Sequence, residues 1–367
     1  MSSILITGIT GYFGALLIPW LMKYQGSVIY LVRGGPNRFL KIYNSYRPED
    51  SVLDFDLVSD SADDIIAQLS LLDVWPDKII HLAASVKFGE EVRDNVMRTN
   101  LGGTQKIVKV AKHFGAELIF FSTYYVHGAW PKNKVFKEEF SYCRPNNPYE
   151  ESKQKCELAI RNSGLTYKII RPSILADCRE TGYLGLLRYF WFIRDFFSKH
   201  REKLSGEIFF AGNIINLPLE GEYYKQKDST LNFIVSDWVR RFMPHLIVSD
   251  RKNIIIHLIN EDPPTSAACF ADAFHDLMIS PFSAKGIKYS HNLMLKQMVL
   301  RIFSNYLSSA PLADCANLRI VLGDKYQPHP SGDELRGVLK KTLFDAVDSS
   351  FGLSIQEISK LERILNI

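Results

Sequence analysis

The chain has 367 residues, enough for one large domain or for two that share a cleft. A hydrophobic fraction of 46% against 23% charged residues excludes a chain dominated by disorder, and a net charge of +4 without a basic tract gives no reason to expect nucleic acid as a partner. The five cysteines lie far apart with no Cys-x-x-Cys pair, which fits neither a disulfide framework nor a zinc site, and no metal is expected.

The first residues open directly into the strand-like run Ile4-Leu5-Ile6, without the basic residues, long apolar stretch and cleavage site of a signal peptide. The most lipid-like segment, Tyr183 to Phe197, is interrupted by Arg188, Arg194 and Asp195 and falls short of the ~20 apolar residues that a spanning helix needs. A cytoplasmic location and no transmembrane segment are therefore expected. Oligomerisation is compatible with the sequence.

From residue 3 to about 170, short β-branched runs alternate with longer segments of helical period. Strands are predicted at Ser3 to Thr7, Ser27 to Val32, Val52 to Phe55, Lys78 to Leu82, Glu117 to Ser122 and Thr166 to Ile170. Helices are predicted at Tyr12 to Tyr24, Ala62 to Leu72, Asn95 to Phe114 and Pro148 to Ser163, the last followed by Gly164 as a stop. The alternation predicts an α/β fold: a Rossmann-type, doubly wound parallel sheet over residues 1–172. Residues 173–367 read as a smaller C-terminal substrate-binding lobe, some of whose strands, such as Asn253 to Leu258, can return to the sheet.

Thr7-Gly8-Ile9-Thr10-Gly11-Tyr12-Phe13-Gly14 falls between the first strand and the first helix, where side-chain-free positions let backbone N–H groups and a helix N-terminus approach a pyrophosphate. A tight strand-to-helix connection would use the same glycines. At the end of the second strand an acidic residue would bind a ribose 2′-hydroxyl; the residue there is Arg33, which accommodates a 2′-phosphate, so NADPH is expected in preference to NADH. Arg38 can assist it, and Asp56 and Leu57 after the third strand are placed for the adenine edge.

Tyr149 and Lys153 stand four residues apart at the start of a predicted helix, on one face. A free phenol has a pKa near ~10, and a neighbouring ammonium favours its ionised form, which makes such a tyrosine usable as an acid and base. Tyr-x-x-x-Lys also occurs by chance on helix surfaces. Its context is the end of the fifth strand, Ser122-Thr123-Tyr124-Tyr125-Val126-His127-Gly128, where Thr123 can polarise a carbonyl oxygen and Ser122 competes for that role.

Together, Thr7 to Gly14, His81-Leu82-Ala83-Ala84, Thr99-Asn100, Ser122 to Gly128, Tyr149 to Lys153 and Arg171-Pro172-Ser173 resemble, in order, the extended short-chain dehydrogenase/reductase family. The resemblance implies NAD(P)(H), a triad on Thr123, Tyr149 and Lys153, and a fourth active-site residue at Asn100. It also places Leu82, Ala83, Ala84 and Lys87 under the cofactor and Ser122, Pro172 and Ser173 around its nicotinamide. The wording of residues 81–88, of Asn100 to Thr104, of Arg171 to Ile174 followed by Thr181-Gly182, and of Leu231 to Val239 is similar to the thioester reductase branch, which includes fatty acyl-CoA reductases. That branch implies an acyl thioester substrate on coenzyme A or a separate carrier protein, reduced to an aldehyde or alcohol. Two other readings stay open: a ketone or secondary-alcohol reductase, and a protein that senses NADP(H) without turnover. The aromatic stretch Tyr183 to Phe197 reads as a helix-packing core or as the lining of an acyl channel.

Overall fold

The computed structural model describes residues 2–87, 89–131, 133–175, 230–261, 265–266 and 311–330. Tyr183 to Phe197, Thr181-Gly182 and most of the chain after Ser280 lie outside them.

Seven strands form one parallel sheet: β1 (Ser3–Thr7), β2 (Ser27–Val32), β3 (Ser51–Asp54), β4 (Lys78–His81), β5 (Glu117–Phe121), β6 (Tyr167–Pro172) and β10 (Ile254–Leu258). Their order is β10-β6-β5-β4-β1-β2-β3. Every side chain of β1 and β5 is buried, as expected of strands covered on both faces. The helices are α1 (Tyr12–Leu21), α2 (Gly35–Tyr43), α3 (Ala62–Leu71), α4 (Arg93–Met97), α5 (Gly103–Phe114) and α6 (Pro148–Arg161). This is the Rossmann-type α/β fold that the alternation predicts.

Local chemistry sets the helix ends. Ser61 and Asp64 form a reciprocal capping box at the start of α3. Asn147 accepts the Glu150 N–H at 2.9 Å and Pro148 occupies the first turn of α6. On one face of the sheet, Ile65 and Leu69 of α3, Ile107 and Val110 of α5 and Ile160 of α6 pack on Leu5, Ile79, Leu118 and Ile169.

Two elements differ from the sequence expectation. The segment after Val32, where no element is predicted, forms α2: Gly34 adopts φ +88 and Pro36 fits a first turn that has no use for its missing N–H. The single helix predicted from Asn95 to Phe114 is interrupted by a π-helical turn, Arg98–Gly102, that turns Asn100 into the interior.

The chain divides into two compact units. The first comprises Met1–Ser173, Asp237–Ile259 and Ala313–Gln327, so a strand from far along the chain, β10, completes the sheet beside β6. The second comprises Ile174–Ser236, Asn260–Leu312 and Pro328–Ile367. Within it β7 (Ile174–Leu175) pairs in parallel with β9 (Phe233–Ile234), β8 (Thr230–Leu231) pairs antiparallel with β11 (Thr265–Ser266), and the Asn232 side chain exchanges hydrogen bonds with the Asn260 backbone.

Candidate active site

All seven strands run one way, so the segments that leave their carboxyl ends gather at one edge of the sheet, the edge where α/β proteins bind ligands. Gly8, Arg33, Asp56, Leu82, Ser122 and Ser173 each follow such an end.

Gly8 takes φ +76, and a Cβ there would lie 2.4 Å from the Ala83 nitrogen; at Gly14 it would lie 2.0 Å from the Ile9 carbonyl oxygen. The loop is therefore pressed onto the segment after β4 and onto its own helix, with no room for side chains. The Gly11 N–H donates to Gly8 O at 3.0 Å, and Gly11, as the N-cap of α1, brings no side chain to the helix N-terminus. The Tyr43 hydroxyl of α2 donates to Ile9 O at 2.6 Å. Phe13 packs against Phe121 with centroids 5.4 Å apart and meets Tyr12 at 6.0 Å. This cradle fits a dinucleotide pyrophosphate held by backbone amides.

Thr7 and His81, at the ends of β1 and β4, connect the loop to the helices behind it. Thr7 Oγ1 lies 2.7 Å from His81 Nδ1 and accepts the Ala83 N–H at 3.4 Å; His81 Nε2 lies 3.2 Å from Thr104 Oγ1, whose hydroxyl donates to Cys156 Sγ at 3.3 Å. The chain of donors runs one way if Thr7 donates to a neutral His81. Burial, aided by the charge of Lys153, pushes the His81 imidazole down to about 3, so it is neutral.

The residues expected at the adenosine end come together. Arg33, 67% exposed in its side chain, has Nη1 3.9 Å from Asp56 Oδ2, and Arg38 donates to the Arg33 carbonyl at 3.4 Å. Asp54 accepts the Gly34 N–H at 2.8 Å. Leu57 packs beside Gly103, while Lys87 is exposed.

Lys153 and Tyr149 lie beside one another at the end of β5, the strand that Thr123 follows. Lys153 is 2% exposed, its Nζ donates to the Phe121 carbonyl at 2.8 Å, and it lies 4.6 Å from the Phe120 ring centroid and 5.9 Å from that of Tyr149. Burial lowers its ammonium to about 8. Thr123 Oγ1 accepts the Tyr125 N–H at 3.3 Å, closing a short 3-10 turn, Tyr124–His127, that Gln154 of α6 holds by donating to the Val126 and Cys143 carbonyls. Ser122 Oγ is buried with no hydrogen-bond partner among the described residues. Asn100 accepts the Ser85 N–H at 2.7 Å and donates to Ser85 O at 2.9 Å and to Ser152 Oγ at 2.8 Å; Ser152 in turn donates to the Tyr149 carbonyl. In this arrangement Asn100 ties the loop carrying Ala83 and Ala84 to the helix carrying Tyr149. Pro172 ends β6, and the Ser173 N–H donates to Leu258 O at 3.0 Å.

The sequence pattern did not single out the ion pair behind α6, Glu157 with Arg171, both fully buried. A cavity of about 680 Å³ lies elsewhere, at the amino ends of β6 and β10, open to solvent and lined by Arg161, Arg251 and Lys252 among others. It is remote from the glycine cradle.

Residues 4–176 match the family described as NAD dependent epimerase/dehydratase family. Among curated proteins the chain is 24% identical over 188 residues to a probable dTDP-glucose 4,6-dehydratase of Sinorhizobium fredii, covering 48% of this chain and 52% of that protein. It is 32% identical over 113 residues to the UDP-glucose 4-epimerase of Rhizobium meliloti, covering 29% of this chain and 33% of that protein. It thus spans only about a third to a half of the curated relatives it matches. Among solved structures, the terminal R domain of the myxalamid PKS-NRPS pathway superposes with a TM-score of 0.68 at 18% identity over 96% of this chain and 92% of that one. A thiolation-reductase di-domain from an archaeal non-ribosomal peptide synthetase gives 0.66 at 20% identity, covering 95% and 75%. The Bordetella bronchiseptica enzyme WbmH in complex with NAD+ gives 0.60 at 18% identity, covering 96% and 100%.

Proposed function

Residues 4–176 match the NAD dependent epimerase/dehydratase family, and from that match we propose that the chain is an NADPH-dependent reductase of an acyl thioester. The observation that carries the reading is the juxtaposition of a buried lysine, Lys153, with the Tyr149 ring at the end of β5, on the strand-end edge that also holds the glycine cradle.

Gly8 to Gly14 would hold the pyrophosphate, Arg33 and Arg38 a 2′-phosphate, and Lys153 the nicotinamide ribose hydroxyls. When bound, NADPH supplies the hydride. Thr123 and Tyr149 donate hydrogen bonds to the oxyanion that develops on the thioester carbonyl, in a setting that excludes water. Tyr149 delivers its proton to that oxygen, and Lys153, an ammonium below a pH of about 8, stabilises the phenolate that remains. Collapse of the hemithioacetal breaks the carbon–sulfur bond, passes the hydroxyl proton to sulfur and releases a thiol and an aldehyde; the product is that aldehyde or, after a further hydride from a second NADPH, the alcohol. The acyl group arrives on coenzyme A or on a separate carrier protein. Support for the thioester comes from the wording of residues 81–88, 100–104 and 171–174 and from the two reductase domains among the structural neighbours.

The curated relatives named for dehydration and epimerisation of nucleotide sugars favour a second reading, chemistry at a secondary alcohol or ketone. Incubation with NADPH and a panel of acyl-CoAs, acyl carrier proteins and ketones separates the two. The expected result is NADPH oxidation accompanied by thiol release, one NADPH per thiol for an aldehyde product and two for an alcohol. Oxidation with ketones and no thiol from any thioester would overturn the proposal. Tyr149→Phe is expected to lower kcat at least ~100-fold, since a positioned proton donor contributes about that much.

A further inference from the structure

Arg171 is the largest fully buried side chain of the described residues. Its Nε donates to Glu157 Oε1 at 3.0 Å and its Nη2 to Glu157 Oε2 at 2.6 Å, a bidentate pair between β6 and α6 with both partners fully buried. The remaining groups are satisfied around it. Nη2 also donates to Glu139 O at 3.0 Å, and Nη1 to His257 Nε2 at 3.2 Å, with His257 Nδ1 donating to Asp314 O at 2.7 Å. The Tyr142 hydroxyl donates to Glu157 Oε2 at 2.7 Å, and the guanidinium lies 5.1 Å from the Phe136 ring centroid.

Packing alone does not call for this arrangement, because a buried ion pair can often be replaced by apolar residues of similar volume without loss of stability. The position of the carboxylate supplies another reason. Glu157 follows Lys153 by four residues, one helical turn, on the face that also carries Tyr149. Lys153 is faced on α6 by Tyr149, Cys156 and Glu157, from β4 by His81, and from β5 by the Phe121 carbonyl and the Phe120 ring. Among these only Glu157 is a buried anion. The ion pair itself is faced by Tyr142, Tyr167 and Glu138 and by the neutral imidazoles of His127 and His257.

We infer that Arg171 is a positioning residue for the Tyr149–Lys153 pair, fixing α6 against β6 through Glu157 and cancelling the carboxylate that stands one turn from Lys153. The role in catalysis rests on the reading of Tyr149 and Lys153 given above, but the electrostatic part is measurable without substrate. The ε-carbon of Lys153 is followed by NMR in protein carrying ¹³C-lysine, with the resonance assigned by its loss in Lys153→Arg. The wild-type midpoint is expected at about 8. Glu157→Gln leaves Arg171 uncancelled and lowers the proton affinity of Lys153 tenfold or more; Arg171→Met leaves Glu157 uncancelled and raises it tenfold or more. The double variant Arg171→Met with Glu157→Leu, net neutral like the wild type, returns the midpoint to within about threefold. Should one single variant fail to fold, the other carries the test with opposite sign. Folded variants whose Lys153 midpoint stays at the wild-type value would reduce the pair to a structural tie and overturn the proposal. A Tyr149→Phe protein with full activity would instead refute the functional reading and leave the titration intact.

Discussion

Gly8 shows how little space a single residue leaves. Its φ of +76 lies in the left-handed region, and the Cβ of an alanine would sit 2.4 Å from the Ala83 nitrogen, a distance no relaxed Cβ reaches. The conformation alone costs about 1–2 kcal/mol for a residue with a side chain, and the clash adds to it. Gly8→Ala is expected to lower Tm by at least about 5 °C and to weaken NADPH binding tenfold or more; an unchanged NADPH affinity by fluorescence titration would remove the loop from the cofactor site. Arg33 is the second test at this scale. A charged hydrogen bond to phosphate is worth roughly 1.5–3 kcal/mol. Arg33→Ala should therefore raise the Kd for NADPH roughly 10- to 100-fold and leave NADH nearly unchanged. Asp56→Asn should tighten NADPH, since it removes the carboxylate 3.9 Å from the guanidinium. Equal losses for the two nucleotides would exclude Arg33 from the 2′-phosphate. The glycine spacing and the arginine after β2 were legible because each is a local signal, read from neighbours in the chain. Arg171 was not: its role depends on partners 14 and 86 residues away.

At the scale of elements, the link between the loop after β4 and the helix of Tyr149 is Asn100, 1% exposed in the π-helical turn between α4 and α5. It makes three hydrogen bonds, two to Ser85 and one to Ser152. Asn100→Ala leaves the Ser85 N–H without this acceptor in a half-buried segment. At about 1 kcal/mol per lost bond and 1–3 kcal/mol for an orphaned group, the variant should be about 3 kcal/mol less stable in urea unfolding. Its kcat should fall more than its KM rises, because α6 rather than a substrate contact is released. A loss confined to KM would count against that link. Parallel strands buried on both faces announce themselves as apolar runs, so β1 and β2 lie where the sequence places them. The π-helical turn has no such signature: nothing in the period of Asn95 to Phe114 records that Asn100 must turn inward. Helix α2 was hidden for the opposite reason, since Gly34-Gly35-Pro36 carries the composition of a loop while its proline suits a first helical turn.

At the scale of the whole molecule, the first unit buries three neutral histidines. Burial pushes His81 down from 6.5 to about 3 and His127 to about 4, and burial together with Arg171 pushes His257 well below 6.5. In the unfolded chain each takes up a proton near 6.5, so below that pH the unfolded state binds more protons and stability falls as pH falls. Glu138 acts with opposite sign. Burial raises its carboxyl from 4.5 to about 7, so between those values the folded state holds the extra proton, and its contribution is present at low pH and lost as pH rises through 7. Between pH 6.5 and 4.5 the histidines outweigh it by three protons to one, a net two, which corresponds to about 2–3 kcal/mol lost per unit of acidification. Urea unfolding at pH 7, 6 and 5 measures this directly, with the midpoint expected to fall at each step. Glu138→Gln removes the opposing carboxyl while keeping an oxygen that can accept the His257 or Asn317 N–H, and should steepen the fall by about half. A midpoint constant from pH 7 to 5, or a Glu138→Gln slope no steeper than that of the wild type, would mean that the buried imidazoles are not what ties this fold to pH.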